Sequence, residues 1–125
     1  MKESLWVSKE LVLAIHDKLL AEHGGGTGLR DEGLLDSALA RPENLFSYEK
    51  VDLFGLAAAY THGILRNHPF IDGNKRTAFL TGYVFLGKNN EELVASEAEA
   101  TQAILDLVSK KFVEVEYAMW LKEHC

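Results

Sequence analysis

His68-Pro69-Phe70-Ile71-Asp72-Gly73-Asn74-Lys75-Arg76-Thr77 joins the two most apolar segments of the chain. Before it, residues 52–67 read as a helix, with Leu53, Leu56, Ala57, Tyr60 and Ile64 on one face. Ala57, Ala58 and Ala59 in a row let a neighbour pack closely, which makes this the central helix. After it, residues 74–87 read as a helix that is apolar on several faces (Ala78, Phe79, Leu80, Tyr83, Val84, Phe85, Leu86) and hence deeply buried. A purely structural link between two buried helices has no need of His, Asp, Asn, Lys, Arg and Thr. That conflict between local polarity and central position marks a candidate site.

The rest of the chain is also helical in period. Residues 8–23 carry Leu11, Val12, Ile15, Leu19 and Leu20 at three- and four-residue spacings, with Ser8 as N-cap; the glycines that follow end this helix and read as a plain loop. Asp31 caps a second helix bearing Leu34, Leu35, Ala38 and Leu39, which is expected to stop near Arg41 because Pro42 follows. Residues 42–50, with Phe46 and Tyr48 alternating with polar neighbours, read as a short extended flap. Ser96 and Glu99 form a capping box for a fifth helix, and residues 113–122 give a sixth. The expectation is an all-α bundle of about six helices, one domain over residues 1–125, with the motif loop at its centre.

Composition narrows the function classes. Lys plus Arg number 13 against 19 Asp plus Glu, a net charge of −6, so the broad positive footprint of a nucleic-acid binder is missing and no direct nucleic-acid binding is expected. The only cysteine, Cys125, excludes a disulfide framework or a Cys-based zinc site within one chain. The opening Met1-Lys2-Glu3-Ser4-Leu5-Trp6 lacks the apolar run of a signal peptide, and the most apolar stretch is too short to span a bilayer. A cytoplasmic protein with no membrane partner is expected.

Within the motif, Gly73 allows a tight turn and close approach of a ligand to the backbone. Asn74 is placed to cap the following helix, whose N-terminus favours anions. Lys75 and Arg76 oppose the helix dipole there, a placement that costs stability unless an anion binds, so the segment reads as a phosphate cradle. Asp72 is positioned to hold Mg²⁺ bridging phosphate oxygens, and His68 is the natural general base near neutral pH. Phe70 and Ile71 are expected to point into the core as anchors. His16, His62 and His124 show no partner pattern and read as surface or core filler.

The string from His68 to Arg76 resembles the signature of the Fic/Doc family, most closely its Doc, or death-on-curing, branch. Gly28-Leu29-Arg30-Asp31-Glu32-Gly33-Leu34-Leu35-Asp36-Ser37-Ala38-Leu39-Ala40-Arg41-Pro42 is similar to the same branch. The resemblance implies a toxin of a toxin–antitoxin module, partnered by a Phd-type antitoxin, that uses ATP and Mg²⁺ to phosphorylate a Ser or Thr hydroxyl of elongation factor Tu and so arrests translation. It implies His68, Asp72 and Arg76 as catalytic residues, Asp72 as the metal ligand, and Gly73, Asn74, Lys75 and Arg76 as the nucleotide-phosphate loop.

Two departures from the wider family bear on the chemistry. Members that transfer AMP usually carry Gly where Lys75 stands and a second Arg where Phe79 stands. A long cation in the cradle and a missing Arg favour transfer of the γ-phosphate. AMP transfer on the same scaffold, and a non-catalytic corepressor that only binds its antitoxin, are the alternatives. Neither Glu32-Gly33 nor Glu43-Asn44 completes the family's Ser/Thr-x-x-x-Glu-Gly/Asn inhibitory motif, since Gly28 and Leu39 stand four residues before them. Control is therefore expected from a second chain.

Overall fold

A computed structural model describes residues 5–125; residues 1–4, which carry most of the charged opening read above, lie outside it. The described residues form six helices and no strand: α1 (Lys9–His23), α2 (Glu32–Tyr48), α3 (Leu53–Asn67), α4 (Asn74–Lys88), α5 (Glu97–Val108) and α6 (Glu114–Glu123). Short polar side chains set four of the starts. Ser8, Asp31 and Asp52 each accept a first-turn N–H, from Leu11, Leu34 and Gly55 respectively. Ser96 and Glu99 close the capping box expected for α5.

The all-helical bundle matches the expectation, and α3 is its axis. This helix packs against α2, α4 and α6, and Leu56 through Tyr60 are completely buried, the three alanines included. Small residues set its distance to both neighbours. At the α2 crossing, a Cβ on Gly63 would lie 3.4 Å from the Ala38 backbone. At the α4 crossing, a Cβ on Gly82 would lie 2.6 Å from Thr61 Oγ1, which itself donates to the Ala78 carbonyl at 2.9 Å. The α3–α4 pair that carries the motif loop is therefore locked at close range.

Pro42 does not end α2, and no extended flap follows it. The helix runs on to Tyr48 with Pro42 buried inside. A proline there removes the bond to the Ala38 carbonyl and costs about 3 kcal/mol in a helix interior. Burial on both sides of it offsets that cost: Leu35, Ala38 and Leu39 precede it, and half-buried Leu45 and Phe46 follow, the latter edge-on to Trp6 at 5.6 Å. Tertiary packing overrides the local signal.

The expectation of filler also fails for His62. Its Nδ1 lies 2.7 Å from a Glu114 carboxylate that accepts two hydrogen bonds from Arg41, tying α6 to α2 and α3. Burial alone would raise the Glu114 carboxyl, but the His62 and Arg41 hydrogen bonds outweigh it and hold the group below the ordinary glutamate value. Among the described residues, no helix is long and apolar enough to cross a membrane.

Gly82→Ala tests the α3–α4 crossing. Helix propensity alone predicts a gain of about 1 kcal/mol from this change. The collision with Thr61 reverses the sign, and a net loss of about 1–3 kcal/mol is expected, read as a lower urea midpoint with unchanged slope. A stabilised variant would contradict the close approach.

Candidate active site

The motif loop leaves α3 through a left-handed residue. His68, at φ 50° and ψ 53°, ends the helix while its N–H still donates to the Ile64 carbonyl at 3.0 Å. Left-handed backbone is uncommon for a residue with a side chain, and here neighbouring groups hold it in place. Arg30 donates through Nε to the His68 carbonyl at 2.8 Å and through Nη2 to the Asn67 carbonyl at 2.9 Å. The result is an exposed imidazole on a fixed stalk.

A strap from upstream then pins the loop. Arg30 and Asp31 both donate their backbone N–H to the Pro69 carbonyl, at 2.7 and 3.0 Å, and Ile71 N–H donates to the Gly28 carbonyl at 3.1 Å. Leu29 and Phe70 thus form an isolated antiparallel bridge. In such extended chain, neighbouring side chains point to opposite faces. Phe70 is fully buried as expected; Ile71 is 55% exposed and lies over Gly26, so its expected role as a second core anchor is corrected.

Asn74 does not cap α4. Gly73, at φ 79°, is the N-cap, and no side chain accepts from the first turn. Asn74 instead reaches back into the loop: its Oδ1 accepts from Phe70 N–H at 3.0 Å and its Nδ2 donates to the Phe70 carbonyl at 2.9 Å. The side chain is 4% exposed, so it closes the loop from inside while the first-turn N–H groups stay uncapped.

His68, Asp72, Gly73, Asn74, Lys75 and Arg76 all line one cavity of about 950 Å³. The loop therefore brings the expected base, metal ligand and phosphate-loop residues to a single space. Lys75 and Arg76 are exposed and pair with no carboxylate among the described residues. Asp72 is exposed too; its Oδ1 accepts from Gly73 N–H at 3.0 Å and its Oδ2 from Gly26 N–H at 3.3 Å. Among the described residues there is no group of three His, Cys, Asp or Glu to cage a metal alone.

Sequence reasoning missed the rest of the enclosure. His23 of α1 lines the cavity, as do Leu80 and Tyr83 of α4 and Ser96, Ala100, Ile104 and Leu105 on the α5 side, beside Phe79, whose position the resemblance had marked. The spacing of Phe79, Leu80 and Tyr83 along α4 was the available signal, but it is shared with ordinary core. The glycines after α1 are more than a plain loop. A Cβ on Gly25 would lie 2.9 Å from Asp72 Oδ2, and one on Gly26 would lie 3.0 Å from Ile71. They make room for the motif.

The inside-out role of Asn74 separates it from its neighbour. Asn74→Ala leaves the Phe70 N–H and carbonyl unpaired and buried, at a cost of about 3 kcal/mol. Lys75→Ala, one residue on and exposed, should shift stability by no more than about 0.5 kcal/mol. Thermal unfolding of the two variants checks this; equal losses would contradict the clasp.

Known proteins resemble this chain in sequence. The model of the Fic/DOC family matches residues 6–86, from before α1 into the last turn of α4. The chain is 34% identical over 91 residues to the protein kinase doc of Escherichia phage P1, covering 72% of each protein. It is 42% identical over 76 residues to the toxin Doc of Mycolicibacterium smegmatis, covering 58% of this chain and 57% of that one. With the motif, the helical bundle and these matches in agreement, the chain belongs to the Fic/DOC family.

Proposed function

We propose that this protein is the toxin of a toxin–antitoxin module, and that it acts as a protein kinase moving the γ-phosphate of ATP to a Ser or Thr hydroxyl of a translation factor, elongation factor Tu. The observation that carries this reading is the shared cavity. An exposed imidazole, an exposed carboxylate and two cations with no carboxylate partner among the described residues meet there at an uncapped helix start. These are the parts that phosphoryl transfer requires: a base, a metal ligand and an anion cradle. The names of the two relatives support the same reading.

The roles follow from position. His68, held outward by the left-handed cap and Arg30, takes the proton of the attacking hydroxyl on its imidazole as the hydroxyl oxygen bonds to the γ-phosphorus and the bond to the β-phosphate oxygen breaks, releasing ADP. Lys75, Arg76 and the first-turn N–H groups of α4 take the phosphate oxygens; Arg76 also offsets charge on the transferred group. Asp72 fits Mg²⁺, which binds through one or two carboxylates together with substrate phosphates and needs no protein cage. When bound, Mg²⁺ would neutralise phosphate charge. Asn74, read from sequence as a phosphate-loop residue, contributes through its backbone N–H, because its side chain is engaged with Phe70.

Phe79 favours the kinase over AMP transfer. It lines the cavity with its ring tilted toward Tyr83 at 6.2 Å, an apolar surface where AMP-transferring members carry an Arg. The cradle is then the first turn of α4 alone. A Phd-type antitoxin is the proposed regulatory partner, docking an amphipathic helix, and a cytoplasmic setting follows from a translation-factor target.

His68→Asn tests the assignment, since Asn tolerates left-handed backbone and keeps the cap while removing the base. Transfer from Mg²⁺-ATP to purified elongation factor Tu should fall about 10²–10⁴-fold, with the melting temperature nearly unchanged. Wild-type transfer by this variant would overturn the role of His68.

A further inference from the structure

His16 sits in the middle of α1, 2% exposed, and touches the motif loop twice. Its Nε2 lies 2.8 Å from the Asp72 carbonyl oxygen, and its ring stacks on Phe70 with centroids 3.8 Å apart and planes 11° from parallel. A carbonyl only accepts, so Nε2 carries the proton and donates. A Cβ on Gly73 would lie 3.6 Å from the same ring, so the imidazole also backs the turn that opens α4. An aliphatic side chain would fill this space without burying a polar group. The N–H to Asp72 gives the histidine a purpose that packing alone does not.

We propose that His16 is a positioning residue for the proposed metal ligand: by holding the Asp72 carbonyl and clamping Phe70, it fixes the main chain from which the Asp72 carboxylate projects. The glycines after α1 complete the hold, with Gly26 N–H on Asp72 Oδ2 and Gly25 leaving room for that oxygen. Carbonyl and carboxylate of one residue are thus gripped from a single helix and its tail. Partners of this kind typically change metal affinity or activity 10- to 100-fold when removed. This inference rests on the function proposed above for Asp72.

Two variants separate positioning from packing. His16→Phe keeps a flat buried ring against Phe70 and loses the N–H; His16→Gln restores a donor. The Mg²⁺ concentration for half-maximal transfer should rise about tenfold in His16→Phe and return most of the way in His16→Gln. A mere loss of folded protein would lower the rate and leave that concentration unmoved. A second readout is independent of catalysis. In the wild type, long-range ¹H–¹⁵N spectra should show the His16 proton on Nε2, and the Asp72 and Gly73 amides should exchange about tenfold faster in His16→Phe. A proton on Nδ1, or a His16→Phe variant with wild-type Mg²⁺ dependence and amide exchange, would overturn the proposal. Should the wild type transfer nothing, the functional reading fails, and the ring tautomer and amide exchange still decide whether His16 holds the loop.

Discussion

Asn74 uses one buried carboxamide to satisfy both backbone polar groups of Phe70, and the geometry of the site depends on that clasp. A loop between two buried helices carries N–H and carbonyl groups that water cannot reach, so each must find a partner inside. Asn74 provides both partners for Phe70, while the strap from Gly28 to Asp31 takes the Pro69 carbonyl and Ile71 N–H. With these backbone groups paired, the side chains of His68, Asp72, Lys75 and Arg76 are left to line the cavity. His68, Asp72, Lys75 and Arg76 stay exposed on a backbone that Phe70 anchors.

The supports come from elements far apart in sequence. Arg30 holds the end of α3, His16 backs the start of α4, and the glycines after α1 receive Asp72. The close α3–α4 crossing at Gly82 and Thr61 sets the separation of the two helices that the loop spans. The opposite wall of the cavity, on α5, lies beyond the segment matched by the family model. Charge and shape therefore divide the cavity: cations at the start of α4, and an apolar surface of Phe79, Leu80 and Ile104 farther on.

Much of the fold was legible in the sequence because it rests on periodicity and caps. Ser8, Asp31, Asp52 and Ser96 mark helix starts locally, and three consecutive alanines announce a helix that neighbours approach closely. Pro42 misleads because its helix is held by packing on both sides, a term that local pattern does not contain. The motif itself was legible as chemistry but not as mechanics. Nothing in Asn74 distinguishes a cap from a clasp; that depends on whether the side chain turns toward the helix or back into the loop. His16 and Arg30 carry no local signal at all, since their partners lie 56 and 38 residues away.

In the proposed function this cradle delivers the terminal phosphate of ATP. Incubating the protein and Mg²⁺ with bacterial lysate and ATP labelled at either the γ- or the α-phosphate reads which phosphate moves. A labelled protein band from the γ label alone is expected. A band from the α label would show AMP transfer and contradict the reading of Lys75 and Phe79.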